Sequence, residues 1–283
     1  KLETDAQGEV IRVLEKREPY RGKDIYLTLD LELQKHIYSQ VKGKEGAVVV
    51  MNPKNGDILA FVSFPGYNTN LFTKSISNKK YNELVESPGR PLINRVIAGQ
   101  YPPGSTIKPL VALSALENDV ISPNTIRQCT GKVELYGHTY HCWKEKGHGF
   151  LRLREAIKQS CDIYFYEVAR RLGVDRLAET SNKFGLGDRV FDILNEERTG
   201  LVPTTKWKLK NIGKGWVLGE TLISGIGQGY FQSTPIQLCL MMAQLANGGY
   251  ETKPRIIDDK YALQPTIDAW REEFYFKNNN IDL

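Results

Sequence analysis

Tyr101-Pro102-Pro103-Gly104-Ser105-Thr106-Ile107-Lys108-Pro109 turns the chain sharply and delivers it into an apolar run, in which Ile107, Leu110, Val111 and Leu113 recur at helical spacing. Ser105 therefore sits at the mouth of a helix predicted to run to about Glu117, and Lys108 shares its face about one turn away. Pro109 falls in the first turn, where a missing N–H costs little. A serine hydroxyl is a weak nucleophile at neutral pH unless a neighbouring base takes its proton, and a lysine amine at this spacing can serve. The pattern is not specific, because Ser39/Lys42 and Ser77/Lys80 repeat it. The first lies on an amphipathic surface helix and the second in a polar run from Ser75 to Lys80, so both read as solvated surface. Only Ser105 has a constrained turn before it and an apolar helix behind it; the plain alternative is an N-capping serine.

On either side of that helix the chain alternates between strand and helix patterns. Ile25 to Leu29 alternates as a strand should, and Asp30 then caps a helix through Leu31, Leu33, Ile37 and Val41. Ala47–Met51 and Ile58–Val62 are β-rich runs joined across Pro53-Lys54-Asn55-Gly56-Asp57, an antiparallel hairpin with an Asn-Gly turn. Residues 64–100 read as loop-rich. Further on, Leu153, Ala156 and Ile157 pattern one helix and Ile163, Val168, Ala169 and Leu172 a second, ended by Gly173, with Ser160-Cys161-Asp162 at the junction. The run from Ile236 to Leu245 is apolar nearly all round and is predicted to be a buried helix. A central hairpin with helices before and after it implies an α+β domain, an antiparallel sheet flanked by helices. Gly225-Ile226-Gly227-Gln228-Gly229 lacks the spacing of a dinucleotide loop and has no acidic residue at the ribose distance, so it reads as a tight turn.

The 283 residues, 41% hydrophobic and 25% charged, can bury a sizeable core, and one large domain is expected. The 38 basic and 33 acidic residues are interleaved, so the formal charge of +5 describes a solvated surface rather than a nucleic-acid footprint. No run is long and apolar enough to span a bilayer, and no signal-peptide core opens the chain. Because the sequence begins at Lys1, it is expected to be a trimmed piece of a longer protein.

Cysteine spacing carries a second signal. Cys129, Cys142, His148 and Cys161 form C-x12-C-x5-H-x12-C in one loop-rich stretch, whereas Cys239 lies alone in an apolar helix and reads as a small core residue. Three thiolates and an imidazole make a closed tetrahedral zinc set, and Gly147 and Gly149 would let the loop fold around an ion. A structural zinc is the preferred reading; a Cys129–Cys142 disulfide and free thiols stay open beside it. His138 and His141 are substitute ligands or surface histidines. Since Cys161 is the middle residue of Ser160-Cys161-Asp162, holding its sulfur would fix both neighbours.

The segment Arg90-Pro91-Leu92-Ile93-Asn94-Arg95 followed by Tyr101 to Lys108 resembles the active-site approach of the penicillin-recognising serine transpeptidases. The likeness continues through Asp24 to Asp30, Gly225 to Tyr230 and Thr234-Pro235-Ile236-Gln237, covers nearly the whole chain, and points to the class B penicillin-binding proteins, most closely the penicillin-binding protein 2 branch. The resemblance implies the transpeptidase / serine β-lactamase-like fold, with Ser105 as nucleophile and Lys108 as its base. It implies that Ser160 and Asp162 form the second catalytic element, where most members have Ser-x-Asn. A carboxylate near Lys108 would favour the ammonium form, so Asp162 is expected either to be held off Lys108 or to bond backbone donors. The family's third motif, Lys-Thr-Gly or Lys-Ser-Gly, is absent from the sequence, and Arg198-Thr199-Gly200 stands too early to replace it. Residues 1–23 are then expected to be the remnant of a pedestal domain or linker and 24–283 the transpeptidase domain without that motif. Implied partners are peptidoglycan stem peptides, β-lactams, a membrane-embedded glycan polymerase and a cell-shape scaffold. The implied location is the periplasmic face of the inner membrane, reached through an N-terminal anchor. A class A β-lactamase, which would carry Glu-x-x-Leu-Asn, and a β-lactam sensor are the rival readings.

Overall fold

A computed structural model describes residues 2–5, 9–13, 24–73, 75–135, 137–191 and 194–258. Thr28–Ile256 form one compact unit. The remaining described residues belong to a second, in which Leu2–Thr4 pairs antiparallel with Val10–Val13 and Leu27 with Ile257.

In the larger unit, Gly46–Met51 and Ile58–Phe64 form the antiparallel hairpin expected from the β-rich runs, with a register shift at Val50/Met51. Gly56 closes its turn at φ +76°, and a Cβ there would lie 2.0 Å from the Lys253 carbonyl oxygen, so only glycine fits. The inward residues of the second strand, Ile58, Ala60, Val62 and Phe64, are buried, and Ile58 joins Val96, Ile97, Phe191 and Ile236 in one of two cores. Asp30 caps the Leu31–Gln40 helix by accepting from the Leu33 N–H at 3.0 Å, and Gln34 of that helix bonds the Phe61 backbone across the hairpin. The strand expected at Ile25–Leu29 does not form. Among the described residues only Leu27 of this stretch makes a bridge, to Ile257, and Ile25, Tyr26 and Leu27 stay exposed, with no apolar face packed on a core to hold a strand there.

The 64–100 region is less irregular than its prolines suggest. Asn78–Val85 and Arg95–Ala98 are helical, the first capped by Ser77 Oγ accepting from the Lys80 N–H. That cap is the role of the Ser77/Lys80 pair, while Ser39 Oγ is spent on the His36 carbonyl, so neither repeat has a free hydroxyl facing its lysine. The second and larger core gathers around the Lys108–Glu117 and Asp162–Leu172 helices. Leu110, Val111, Ala115, Tyr164 and Phe165 are among its fully buried members. Pro235–Ala246 is largely buried as expected, with Met242 on its exposed side and Cys239 half-buried, its thiol pushed up to about 11 by burial. Among the described residues, no helix is long and apolar enough to cross a membrane.

Candidate active site and metal-ligand cluster

The Pro-Pro-Gly turn is clamped from two sides. Tyr101 and Ser233 exchange two backbone hydrogen bonds of 2.9 Å, and the Gly104 N–H donates to the Gly227 carbonyl at 2.8 Å. Gly227, at φ +72°, is so close to this turn that a Cβ would stand 2.3 Å from the Gly104 oxygen. The Gly225–Gly229 segment is thus a tight turn that seats the start of the Ser105 helix. Gly104–Ile107 form a 3-10 turn that passes directly into the Lys108–Glu117 helix. Ser105 is left exposed while Ile107 and Lys108 point into the core, Lys108 only 1% exposed.

A buried ammonium needs acceptors, and Lys108 finds all of them across the core on one short turn. Its Nζ lies 2.9 Å from Ser160 O, 2.9 Å from Ser160 Oγ and 2.7 Å from Asp162 Oδ1, with the Phe165 ring 5.6 Å away. Ser160 sits at φ +51°, a left-handed conformation that closes the Leu153–Lys158 helix through the Cys161 N–H to Ala156 O bond, before Asp162 begins the next helix. That conformation turns both the Ser160 carbonyl and its hydroxyl toward Lys108. Asp162 is not held off Lys108, because one oxygen takes the lysine at 2.7 Å; the other has the expected backbone role and accepts the Trp143 N–H at 3.0 Å. Among the described residues no hydrogen bond joins Ser105 Oγ to Lys108 Nζ.

Ser105, Ser160 and Asp162 line one open cleft of about 590 Å³, with His141, Cys142, Trp143, Tyr166, Ile226 and Gln228. The Tyr166 phenol is pushed up to about 12, first by burial and then by the Asp162 carboxylate, so it stays protonated and donates to the His141 carbonyl. Arg198-Thr199-Gly200 takes no part in this cleft. Its Gly200, at φ +65°, packs against the Gln232 carbonyl, and the Thr199 carbonyl accepts from Gln237, a structural turn.

Behind the cleft wall, Cys129, Cys142, His148 and Cys161 converge, their ligand atoms all within 4.8 Å of one another. His148 Nδ1 stands 3.5 Å from Cys129 Sγ and 3.6 Å from Cys142 Sγ. Zn–S bonds of about 2.3 Å and a Zn–N bond of about 2.1 Å at the tetrahedral angle put ligand sulfur and nitrogen about 3.5 Å apart, so the donor set fits such an ion. The loop folds this tightly because Gly147, at φ +74°, leaves no room for a Cβ, which would meet Cys129 O at 2.2 Å. Burial, then the Lys144 charge, holds His148 below its ordinary value, which favours the neutral imidazole that ligates metals. Burial pushes the Cys161 thiol upward; a cation among the sulfurs would reverse that. No disulfide links these cysteines, and neither His138 nor His141 joins the cluster.

All eight residues singled out in the sequence therefore fall in two adjoining groups joined by Cys142-Trp143 and Ser160-Cys161-Asp162. Trp143, Tyr166 and Gln228 were not foreseen. The signal for Trp143 was its place between two candidate ligands, and for Gln228 its place in the Gly-rich turn.

Residues 46–281 match the family described as the penicillin binding protein transpeptidase domain. Over 258 residues the chain is 45% identical to the peptidoglycan D,D-transpeptidase MrdA of Escherichia coli K12, covering 90% of this chain and 41% of that protein. Among solved structures it is similar to Pseudomonas aeruginosa PBP2 in complex with WCK 5153, with a TM-score of 0.82 and 45% identity over 86% of this chain and 57% of that one. It is also similar to Helicobacter pylori PBP2 in its complex with MreC, with a TM-score of 0.82 and 33% identity over 99% of this chain and 54% of that one. The chain thus spans less than two thirds of the relatives it matches. With the match running from the hairpin through the Ser105 and Ser160 turns, the chain belongs to the penicillin-binding protein transpeptidase family.

Proposed function

We propose that the protein is a serine D,D-transpeptidase that cross-links peptidoglycan stem peptides through an acyl-enzyme on Ser105. The observation that carries this is a buried lysine amine held between Ser160 and Asp162, one turn from an exposed serine in an open cleft. Ser105 Oγ attacks the carbonyl carbon between the two terminal D-alanines, and its proton moves to Lys108 Nζ as the hydroxyl turns inward. The amine keeps its bonds to Ser160 O and Asp162 Oδ1 through this transfer, and Ser160 Oγ, 2.9 Å from Nζ, stands ready to carry the proton onward. Ser160 passes a proton to the departing D-alanine nitrogen. An amine of a second stem peptide then takes the acyl group. β-Lactams imitate the donor and stop at the ester.

A zinc ion is the group the Cys129, Cys142, His148 and Cys161 set would hold, and its contribution is structural. With the Cys161 sulfur fixed, Ser160 keeps its left-handed turn and Asp162 keeps both of its bonds. Residues 1–23 are read as the remnant of a pedestal domain or linker and 24–283 as the transpeptidase domain. By kinship with MrdA and with the PBP2 that binds MreC, the natural protein is read as an elongation-complex member, anchored at the periplasmic face of the inner membrane. Its partners there are a membrane glycan polymerase and a cell-shape scaffold.

The test is a supply of donor pentapeptide and acceptor amine to the full-length protein. A cross-linked product that Ser105→Ala fails to make is expected. Rapid penicillin turnover instead would favour a β-lactamase, and acylation without any transfer would favour a sensor.

A further inference from the structure

We propose that Trp143 is the apolar wall of the subsite that holds the leaving D-alanine and then the acceptor amine, and that it sets transfer against hydrolysis. The inference rests on the transpeptidase reading above. An indole that is 65% exposed carries a large apolar face in water, which a lone surface residue has little reason to hold still. Here the residue is held at three points, two of them on the ring. Its backbone N–H goes to Asp162 Oδ2 at 3.0 Å, its Nε1–H to the Gln159 carbonyl at 3.1 Å, and its ring meets that of His148 edge to face at 5.4 Å between centroids. Trp143 lines the cleft that also holds Ser105 and Ser160.

Both hydrogen-bonded anchors end on the Gln159–Asp162 turn that carries Ser160, so the indole stands on Ser160's side of the cleft. The group that hands a proton to the leaving nitrogen must lie within hydrogen-bond reach of it. The departing amine, and the attacking amine that replaces it, therefore stand beside the indole. At that point two nucleophiles compete for the Ser105 ester. With the acceptor, a C–N bond forms, the C–Oγ bond breaks, and the amine's proton passes through Ser160 and Lys108 to Ser105 Oγ. With water, a C–O bond forms in its place and the acyl group is lost as the free acid. An apolar wall binds the acceptor's carbon skeleton and displaces the competing water, and so favours the amine.

The experiment measures the ratio of transfer to hydrolysis in the full-length protein, using a thioester analogue of the donor and D-alanine as acceptor. Trp143→Ala is expected to lower that ratio about tenfold, the order that loss of one or two methylenes of contact carries. Trp143→Phe, which keeps a flat ring but loses the bond to Gln159, is expected to retain most of it. The ratio should shift by more than the rate of Ser105 acylation by penicillin, with metal content unchanged. An unchanged ratio in Trp143→Ala beside normal acylation overturns the proposal alone. So does an equal fall of acylation and transfer in both variants, which would make Trp143 only a brace for the turn. A parent that forms no acyl adduct overturns the transpeptidase reading and the proposal with it.

Discussion

Removing Asp162 should strand a charge, and the cost should depend on whether Lys108 is present. The Lys108 side chain is 2% exposed and that of Asp162 13%, and their charged atoms stand 2.7 Å apart. Breaking such a pair from one side leaves the other charge buried without its counterion, at a cost of about 3–5 kcal/mol. For a domain of this size that corresponds to a fall in melting temperature of roughly 6–20 °C for Asp162→Ala. In a Lys108→Met background no ammonium is left behind. The same substitution then removes the carboxylate that Lys108→Met has stranded, which offsets the roughly 1 kcal/mol of freeing the Trp143 N–H at the exposed wall of the cleft, so its net cost should be near zero or negative. Urea unfolding of the parent, both single variants and the double variant gives the coupling directly, expected at about 2 kcal/mol or more. Additivity within about 0.5 kcal/mol would refute the reasoning, because Asp162 would then contribute nothing specific to holding the ammonium.

Three further outcomes follow from the same geometry. Cys161→Ser should lower zinc content, measured by atomic emission, and slow acylation by penicillin, and metal removal with a chelator should lower the melting temperature; no change in either quantity for Cys161→Ser would remove the metal from the explanation. Gly227→Ala should slow acylation markedly and destabilise the fold by about 1–3 kcal/mol, since its Cβ must push against Gly104 from a left-handed φ, and a variant with normal kinetics would mean the turn yields freely. Burial pushes the Glu167 carboxyl upward, but its bonds to Arg170 and Arg171 outweigh that and hold it below the usual value of 4.5. A lowered carboxyl contributes stability above that value and loses it as pH falls through the folded-state pKa. The stability gap between the parent and Glu167→Gln should accordingly be present at pH 7 and close in acid, and a gap independent of pH would contradict it.

What the sequence made legible was local or periodic. The hairpin announced itself through alternation and Asn55-Gly56, and the Lys108–Glu117 helix through Leu110, Val111 and the prolines before it. The cysteine set was legible as a spacing with glycines beside His148. The misses were tertiary. Ile25 to Leu29 has strand alternation, but extended pairing needs a partner that alternation cannot supply. Asn78–Val85 is a helix made of polar residues around Tyr81, Leu84 and Val85, a pattern too weak to stand out from a loop. The partners of Lys108 lie more than fifty positions away on a serine in a left-handed conformation, which nothing in the residue type foretells. Trp143 looked like one more aromatic, because its function comes from bonds to Gln159 and Asp162 that only the folded loop creates.

The central claim, that Ser105 is an activated nucleophile, is tested most directly by the intact mass of the full-length protein after incubation with a penicillin, with Ser105→Ala alongside. A stable adduct of one penicillin on the parent, absent from Ser105→Ala, is expected. No adduct on either protein, or an adduct that survives in Ser105→Ala, would contradict it.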